Sequence, residues 1–466
     1  MKSTITIILT SYKMGIHMLI LIFNISVVAS AQKNIIYIDP GYYDLKEGTI
    51  LRPFNSWDDI QWKEGYTYLF KRGSTLQVNF KMRPSANNIT IGAYGLGAMP
   101  ILKSTVPNNE KVLDLGSLKN VIIKDLEIES TNNAQTCLHF FNSTGGAIIN
   151  CKIHGGEWGV RNVASTRLFR IINCEIYMTG DDGCFTKELD SIEVSGTYIH
   201  DVNQKYFINT SESFSGGDCL QLESVKYFNI HDNVIDHSRT GNKFCIISNS
   251  DDLDFISTGL IERNHLLRDN TGNLIYLDHA KNVLIMNNCF ENAEIAVYNR
   301  SENPNIYFNE FINIKELVFE LLGPFGSNAA IINNTFFNIR NLLSLTHETV
   351  SFINNIVFNC YGNFQAGEAT LNQDYNCFLN ANEVKKNIGE HSFQADPLFV
   401  DIAKNDFRLR NHSPCIGKGY NNLNIFKIIN GKKNFDGQPI DIGAHQLRDA
   451  KDDLLIKVRN SKSFAP

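Results

Sequence analysis

The chain has 466 residues, 43% of them hydrophobic and 20% charged, with a net charge of −6. That composition is ordinary for a globular protein. The negative balance argues against broad nucleic-acid binding, which needs a basic face, and an anionic substrate would need a locally basic cleft.

Taken in chain order, Lys2 and Lys13 precede an apolar run from Met18 to Ala29, and Ala29-Ser30-Ala31 stands before Gln32. A basic start, an apolar stretch and small residues at a cleavage point predict an export signal over residues 1–31. The run is short for a membrane anchor, and no later segment approaches the length of a span. The mature protein is therefore expected to be secreted or periplasmic, monomeric and without a membrane span. Residues 32–447 read as one continuous body with a capping segment at its N-terminus, and 448–466 as a tail with helical periodicity over Asp449 to Val458.

Within that body a short phrase recurs: two or three apolar residues, usually Asn, then an apolar position two residues on. Ile148-Ile149-Asn150-Cys151-Lys152-Ile153 and Ile331-Ile332-Asn333-Asn334-Thr335-Phe336 are examples. Equivalent positions are Leu126, Cys151, Cys174, Gly196, Asn233, Asn264, Asn288, Asn309, Asn334 and Asn355. Most intervals lie in the low twenties, which predicts one supersecondary unit stacked on itself. Short β-branched runs separated by Asn, Asp, Gly and Ser predict two or three strands per coil, paired in parallel with the next coil. Asn suits the bends, because it tolerates left-handed backbone and can bond along the ladder. The expectation is an all-β, right-handed parallel β-helix of about ten or more coils. Phe290, Phe311 and Phe336 share one register and predict a core stack. Cys137, Cys184, Cys219 and Cys245 fall in comparable strands, with Cys151 and Cys174 one coil apart. Small residues at a repeated register favour buried free thiols over a disulfide framework.

The two ends resemble secreted right-handed parallel β-helix proteins of the polysaccharide lyase, or pectin-lyase-like, superfamily. The opening carries Ile36-Tyr37-Ile38-Asp39-Pro40 and Lys71-Arg72-Gly73-Ser74-Thr75. The closing coil carries Asp396-Pro397-Leu398-Phe399, Ser413-Pro414-Cys415-Ile416 and Asp441-Ile442-Gly443-Ala444. The resemblance specifies a fold shared by lyases, glycoside hydrolases, esterases, epimerases and adhesins, so chemistry has to be read from a site.

Two stretched intervals, Gly196 to Asn233 and Asn233 to Asn264, direct that search. Around them lie Gly180-Asp181-Asp182-Gly183-Cys184, Gly217-Asp218-Cys219-Leu220-Gln221, Asp236-His237-Ser238-Arg239, Lys243, and Tyr276-Leu277-Asp278-His279. Aligning Cys184, Cys219 and Cys245 puts Asp182, Gly217 and Lys243 at one place on successive coils. Asp182 and Lys243 would then be roughly 10 Å apart, room for a sugar ring. β-Elimination from a uronic-acid polymer needs a base at C5, positive charge on the carboxylate and a proton source. Lys243 is the candidate base, Arg239 the carboxylate partner and His237 the proton-transfer group, with Tyr276 a second candidate acid. Asp218, Gln221, Tyr276 and His279 would bind substrate. Lyases of this fold commonly pair a Lys or Arg base with Arg or Ca²⁺ on the carboxylate, and Asp181 and Asp182 are candidate Ca²⁺ ligands. An alternative is hydrolysis by Asp181, Asp182 and Asp218. Gly180-Asp181-Asp182-Gly183-Cys184 resembles the Gly-Asp-Asp-Cys strand of polygalacturonase-type hydrolases, whose Asn-Thr-Asp and Gly-His-Gly coils have no counterpart here. A non-catalytic glycan-binding solenoid is the third reading.

Overall fold

The computed structural model describes residues 34–446, apart from residue 80, 105–110, 132–135, 204–216, 239–242, 253, 325, 347, 363, 382–387 and 422–439. The export signal and the tail lie outside the described residues. Two parallel sheets, of 23 and 14 strands, form a right-handed parallel β-helix. The larger sheet bends across two faces of the solenoid and the smaller forms the third.

One coil shows the plan. Glu175–Tyr177 lies on the third face, and a loop leads to the strand Cys184–Ser195, which crosses both faces of the larger sheet. That strand turns at left-handed Glu188 (φ 57°), and the coil closes through left-handed Gly196 (φ 59°) before Tyr198–His200 returns to the third face. A side-chain period of two places Ile176 and Ile199 inside the coil while Glu175 and Tyr177 face out.

Coil closure is a two-residue device. A left-handed residue comes first: Asn150, Asn173, Asn287, Asn333 and Asn354 have φ between 52° and 58°. The residue after it bonds along the axis. Asn264 Oδ1 accepts both the backbone N–H of Asn233 and its Nδ2 at 3.0 Å, and the pattern repeats through Asn288, Asn309, Asn334, Asn355 and Asn376. Each bond is worth about 1 kcal/mol net, and a buried amide left unpaired costs about 1–3. The fourth marker needs correcting. Glu175 pairs with Tyr198 and Tyr198 with Val234, so Thr197 rather than Gly196 is equivalent to Cys174 and Asn233. Thr197 Oγ1 takes the Cys174 N–H at 3.3 Å, as an Asn would.

Inside, Phe290, Phe311, Phe336 and Phe352 stack with centroids 4.6, 5.1 and 5.8 Å apart, as expected for a core file. All ten cysteines are buried and unbridged. The end of the chain departs from expectation. It is not a further coil: Phe399–Asp401 and Asp406–Leu409 form an antiparallel hairpin. Phe399, Phe407, Cys415 and Ile442 pack on the outward side of the third face, against Cys289, Ile312, Ile356 and Cys377. The segment is pinned there by Gly443 N–H to Asn354 O (2.8 Å), Ala444 N–H to Thr335 Oγ1 (3.0 Å) and His445 to Glu310 (2.6 Å).

Candidate functional site

Loops leaving the third face enter the first face at one corner of the solenoid, and the acidic residues collect there. Val160 pairs with Cys184, Cys184 with Leu220 and Leu220 with Ile246. Cys184 is therefore level with Leu220, not Cys219, which corrects the expected alignment by one residue. Carried upstream, this register sets Asp182 beside Asp218 and Asp181 beside Gly217. The hydrogen bonds agree: Asp182 Oδ1 accepts the Asp218 N–H at 2.7 Å, and Asp218 Oδ1 accepts the Phe244 N–H at 2.6 Å. Asp182 and Asp218 are only 2% and 4% exposed and brace one loop to the next.

Asp181 differs. Its Oδ1 is buried without a hydrogen-bond partner. Burial, reinforced by the charges of Glu157 and Asp218 and opposed by Lys243, pushes its carboxyl up to about 7. Burial likewise raises Asp218 to about 6, against the Phe244 N–H and the charges of Lys243 and Arg268. Asp182 is raised by burial and by the two other aspartates. Glu157, one coil earlier, is raised by burial and partly offset by Arg161. Four carboxyl groups thus share a poorly solvated corner, with the half-buried Lys243 close enough to act on three of them.

As a cation site the corner is open. Asp181 offers an unused hard oxygen, which suits Ca²⁺. Among the described residues, however, Asp181, Asp182 and Asp218 do not bring three ligand atoms within 4.8 Å of one another. Asp182 has one oxygen committed to backbone. No closed cage is present, so a cation here would complete its shell from solvent or substrate.

The other expected residues divide. Gln221 and Tyr276 fall in one outward row of the first face, in which Arg161, Phe185, Gln221, Ile247, Tyr276 and Tyr298 succeed one another. Tyr276 stacks on Tyr298 (5.2 Å, 18°) and leans on Phe244 (5.2 Å), the neighbour of Lys243. Its hydroxyl donates to Asp278 at 3.0 Å. His279 lies beyond the far end of that strand, with its backbone N–H on Asp278 Oδ1. Arg239 lies outside the described residues. His237 does not suit proton transfer: it is 1% exposed and its Nε2 donates to Gly217 O at 2.9 Å. Burial and the nearby Arg268 guanidinium hold it neutral, with its ionisation lowered to about 3.

Sequence reasoning missed two arginines. Arg268 is 2% exposed, and its Nη1 donates to Lys243 O at 2.8 Å while its Nε donates to Thr271 O at 2.7 Å. It fixes the backbone from which Lys243 projects. Arg161 lies over Trp158 (5.2 Å) and Phe185 (5.7 Å), and its Nε is buried without a hydrogen-bond partner. Both sit on coils of ordinary length, where spacing raises no flag. Further along the same corner, Asn270, Asn313, Lys315, Arg340 and Tyr361 line a shallow depression of about 240 Å³.

No family model matches the chain, and no curated protein matches it. Solved structures with a similar fold include the pectate lyase Pel9A, at 14% identity and a TM-score of 0.43, covering 89% of this chain and 96% of that one. Others are a GH136 lacto-N-biosidase from Eubacterium ramulus (13%, TM-score 0.39, covering 74% and 69%) and a hyperthermoactive exopolygalacturonase from Thermotoga maritima (12%, TM-score 0.36, covering 66% and 84%). Lyases and hydrolases both occur among these neighbours.

Proposed function

We propose that the chain is an exported lyase that cleaves a uronic-acid-containing polysaccharide by β-elimination, with Lys243 as the base. The observation that carries this is the placement of Lys243. Its backbone is held by Arg268, its side chain adjoins a buried carboxyl cluster, and the corner opens beside an outward row of Gln221, Tyr276 and Tyr298. Elimination needs positive charge at the substrate carboxylate, because that charge stabilises the carbanion formed as the base removes the C5 proton. Arg161 stands on the same row three rungs before Ile247, roughly 14 Å along the axis, with its Nη1 3.5 Å from His139 Nε2, so it suits the carboxylate of a neighbouring sugar unit. The acidic corner repels a uronate unless it is neutralised. Ca²⁺ taking the unused Asp181 oxygen, with its shell completed by solvent and by the substrate carboxylate, would supply the missing charge. A lysine also gives up its proton more readily when the carboxylates beside it are already neutralised. Tyr276 replaces His237 as proton source, since its hydroxyl lies on the accessible row. Lys315 extends positive charge along the corner for a neighbouring sugar unit, whereas Arg340 is paired with Glu316 at 2.8 Å.

Hydrolysis remains the second reading, supported by one specific feature. An unpartnered Asp181 carboxyl pushed up to about 7 is the form a general acid requires. The products separate the two. A panel of acidic glycans should yield a conjugated double bond absorbing in the near ultraviolet, whereas a hydrolase makes reducing ends without it. Lys243→Ala should abolish that absorbance at pH 5 to 8 with little change in thermal midpoint at pH 5. Retained elimination by Lys243→Ala would remove it as the base, and reducing ends without absorbance would replace the lyase reading.

A further inference from the structure

A second cluster lies away from this corner, on the outward side of the third face. The strands His265–Leu267 and Cys289–Glu291 run in register, with His265 beside Cys289 and Leu267 beside Glu291. Leu266 and Phe290 occupy the core, so the alternation of a strand turns His265, Cys289 and Glu291 outward. Outward is not into solvent here. Cys289 is 0% and His265 1% exposed, and Cys289 packs with Phe399, Phe407 and Ile442 of the C-terminal segment. Glu291 keeps a side-chain exposure of 17% and opens the cluster to water.

One ligand atom from each of the three residues falls within 4.8 Å of the others. His265 Nε2 lies 2.9 Å from Glu291 Oε2, and His265 Nδ1 is buried with no hydrogen-bond partner. A plain His–Glu pair has no need of a thiol, yet Cys289 completes the triangle and interacts with the same imidazole. We propose that His265, Cys289 and Glu291 bind one zinc ion, which staples two adjacent coils beneath the C-terminal segment. Thiolate, imidazole and carboxylate together suit Zn²⁺, whose bonds to them are about 2.0–2.3 Å, whereas Ca²⁺ and Mg²⁺ prefer oxygen alone. The charges also balance: Zn²⁺ with one thiolate, one carboxylate and neutral imidazole is a neutral group, the form that tolerates burial. On binding, the cysteine and any imidazolium release their protons to solvent, and water enters the fourth position beside Glu291. The site lies three residues before Arg268, so it would stiffen the coil that holds the Lys243 backbone. It uses no residue of the proposed reaction and stands or falls apart from it.

The test uses the full chain purified without chelator. Metal analysis should find one zinc per chain, and cobalt added to zinc-stripped protein should give a thiolate-to-cobalt charge-transfer band. Zinc should raise the thermal midpoint of the stripped protein. Losing an outer-shell partner already costs 10–100-fold in metal affinity, so Cys289→Ser and Glu291→Gln should each weaken zinc binding by at least about 100-fold. Cys289→Ser should also lose the cobalt band, and Glu291→Gln, at a half-buried position, serves should the serine variant not fold. Stripped protein that takes up neither zinc nor cobalt overturns the proposal. So does zinc binding of unchanged affinity in Glu291→Gln, or uptake of calcium alone.

Discussion

Asp181→Asn should make the fold more stable while destroying its activity, and the gain should depend on pH. In the unfolded chain Asp181 ionises near its ordinary 3.8; in the folded chain burial and neighbouring carboxylates push it up to about 7. At one pKa unit per 1.36 kcal/mol, ionising it inside the fold costs about 2–4 kcal/mol once Lys243 and the partial opening of the corner are allowed for. Below about pH 4 both states hold the proton and the residue is neutral in effect. Between 4 and 7 the folded chain retains a proton that the unfolded chain has lost, so stability falls as pH rises. Above 7 the whole penalty is present. Asparagine has nearly the same shape and no charge to desolvate, so the variant should gain roughly a third of the full amount at pH 5 and all of it at pH 8. Thermal midpoints of both proteins at the two pH values, in chelator, measure this. The same gain at pH 5 and pH 8, or none at pH 8, would refute the claim that a buried, uncompensated carboxylate sits at this corner. Added Ca²⁺ should narrow the gap at pH 8 by stabilising only the parent chain.

Arg268→Met removes both donors from Lys243 O and Thr271 O and leaves Asp218 with less compensation. It should cost about 2–4 kcal/mol. Because the effect on catalysis runs through the Lys243 backbone, kcat should fall more than KM rises; an unchanged kcat would leave Arg268 a purely structural residue. Asn309→Ala deletes bonds from Asn288 N–H and Nδ2–H and to Ile285 O and Asn334 Oδ1, all buried. A loss of about 2–4 kcal/mol is expected in thermal unfolding, with activity retained below the transition. A loss under about 0.5 kcal/mol would mean that the Asn ladder is dispensable.

The scaffold was legible because every rung repeats the same physical demands. An inward Phe or Ile must fill the coil, a left-handed residue must close it, and an Asn must satisfy the amide next door. The two register errors share a cause. Gly196 sits in the repeated phrase, yet it is the left-handed residue, and Thr197 does the bonding. Cys184 and Cys219 share an identity but not a rung, because the strand pairs Cys184 with Leu220. Residue type marks a rung only where the side chain performs the rung's task. At the site, Asp218 and Lys243 could be found because they lie inside the stretched intervals, and Asp181 because its Gly-Asp-Asp-Gly-Cys phrase stands on the coil beside them. Arg268 and Arg161 could not. Glu157 carried a usable signal: it opens the loop one coil before Asp181 and accepts the Asp181 N–H through its carbonyl at 2.8 Å.

The three corners of a coil carry unequal constraints, and the buried carboxyl cluster lies at the one from the third face to the first. At the Asn corner, adding a residue would break bonds to the coils on both sides, and from Gly196–Thr197 to Tyr375–Asn376 each closure is a left-handed residue followed by a bonding one. In two coils the bend between the first and second faces is crossed by one continuous strand, Cys184–Ser195 and Leu220–His231, which pair with each other through it. The second stretched interval adds more of its length at the bend between Asn249 and Thr258, whereas the longest stretch, between Tyr198–His200 and Leu220–His231, lies at the corner from the third face to the first. Length can therefore change at that corner without disturbing the core, and costly features collect where the scaffold can tolerate them. Buried carboxylates with one lysine among them are such a feature. A corner selected for stability alone would carry Asn or Ser in place of Asp181, so the acid is a cost to the fold of the kind that functional sites carry.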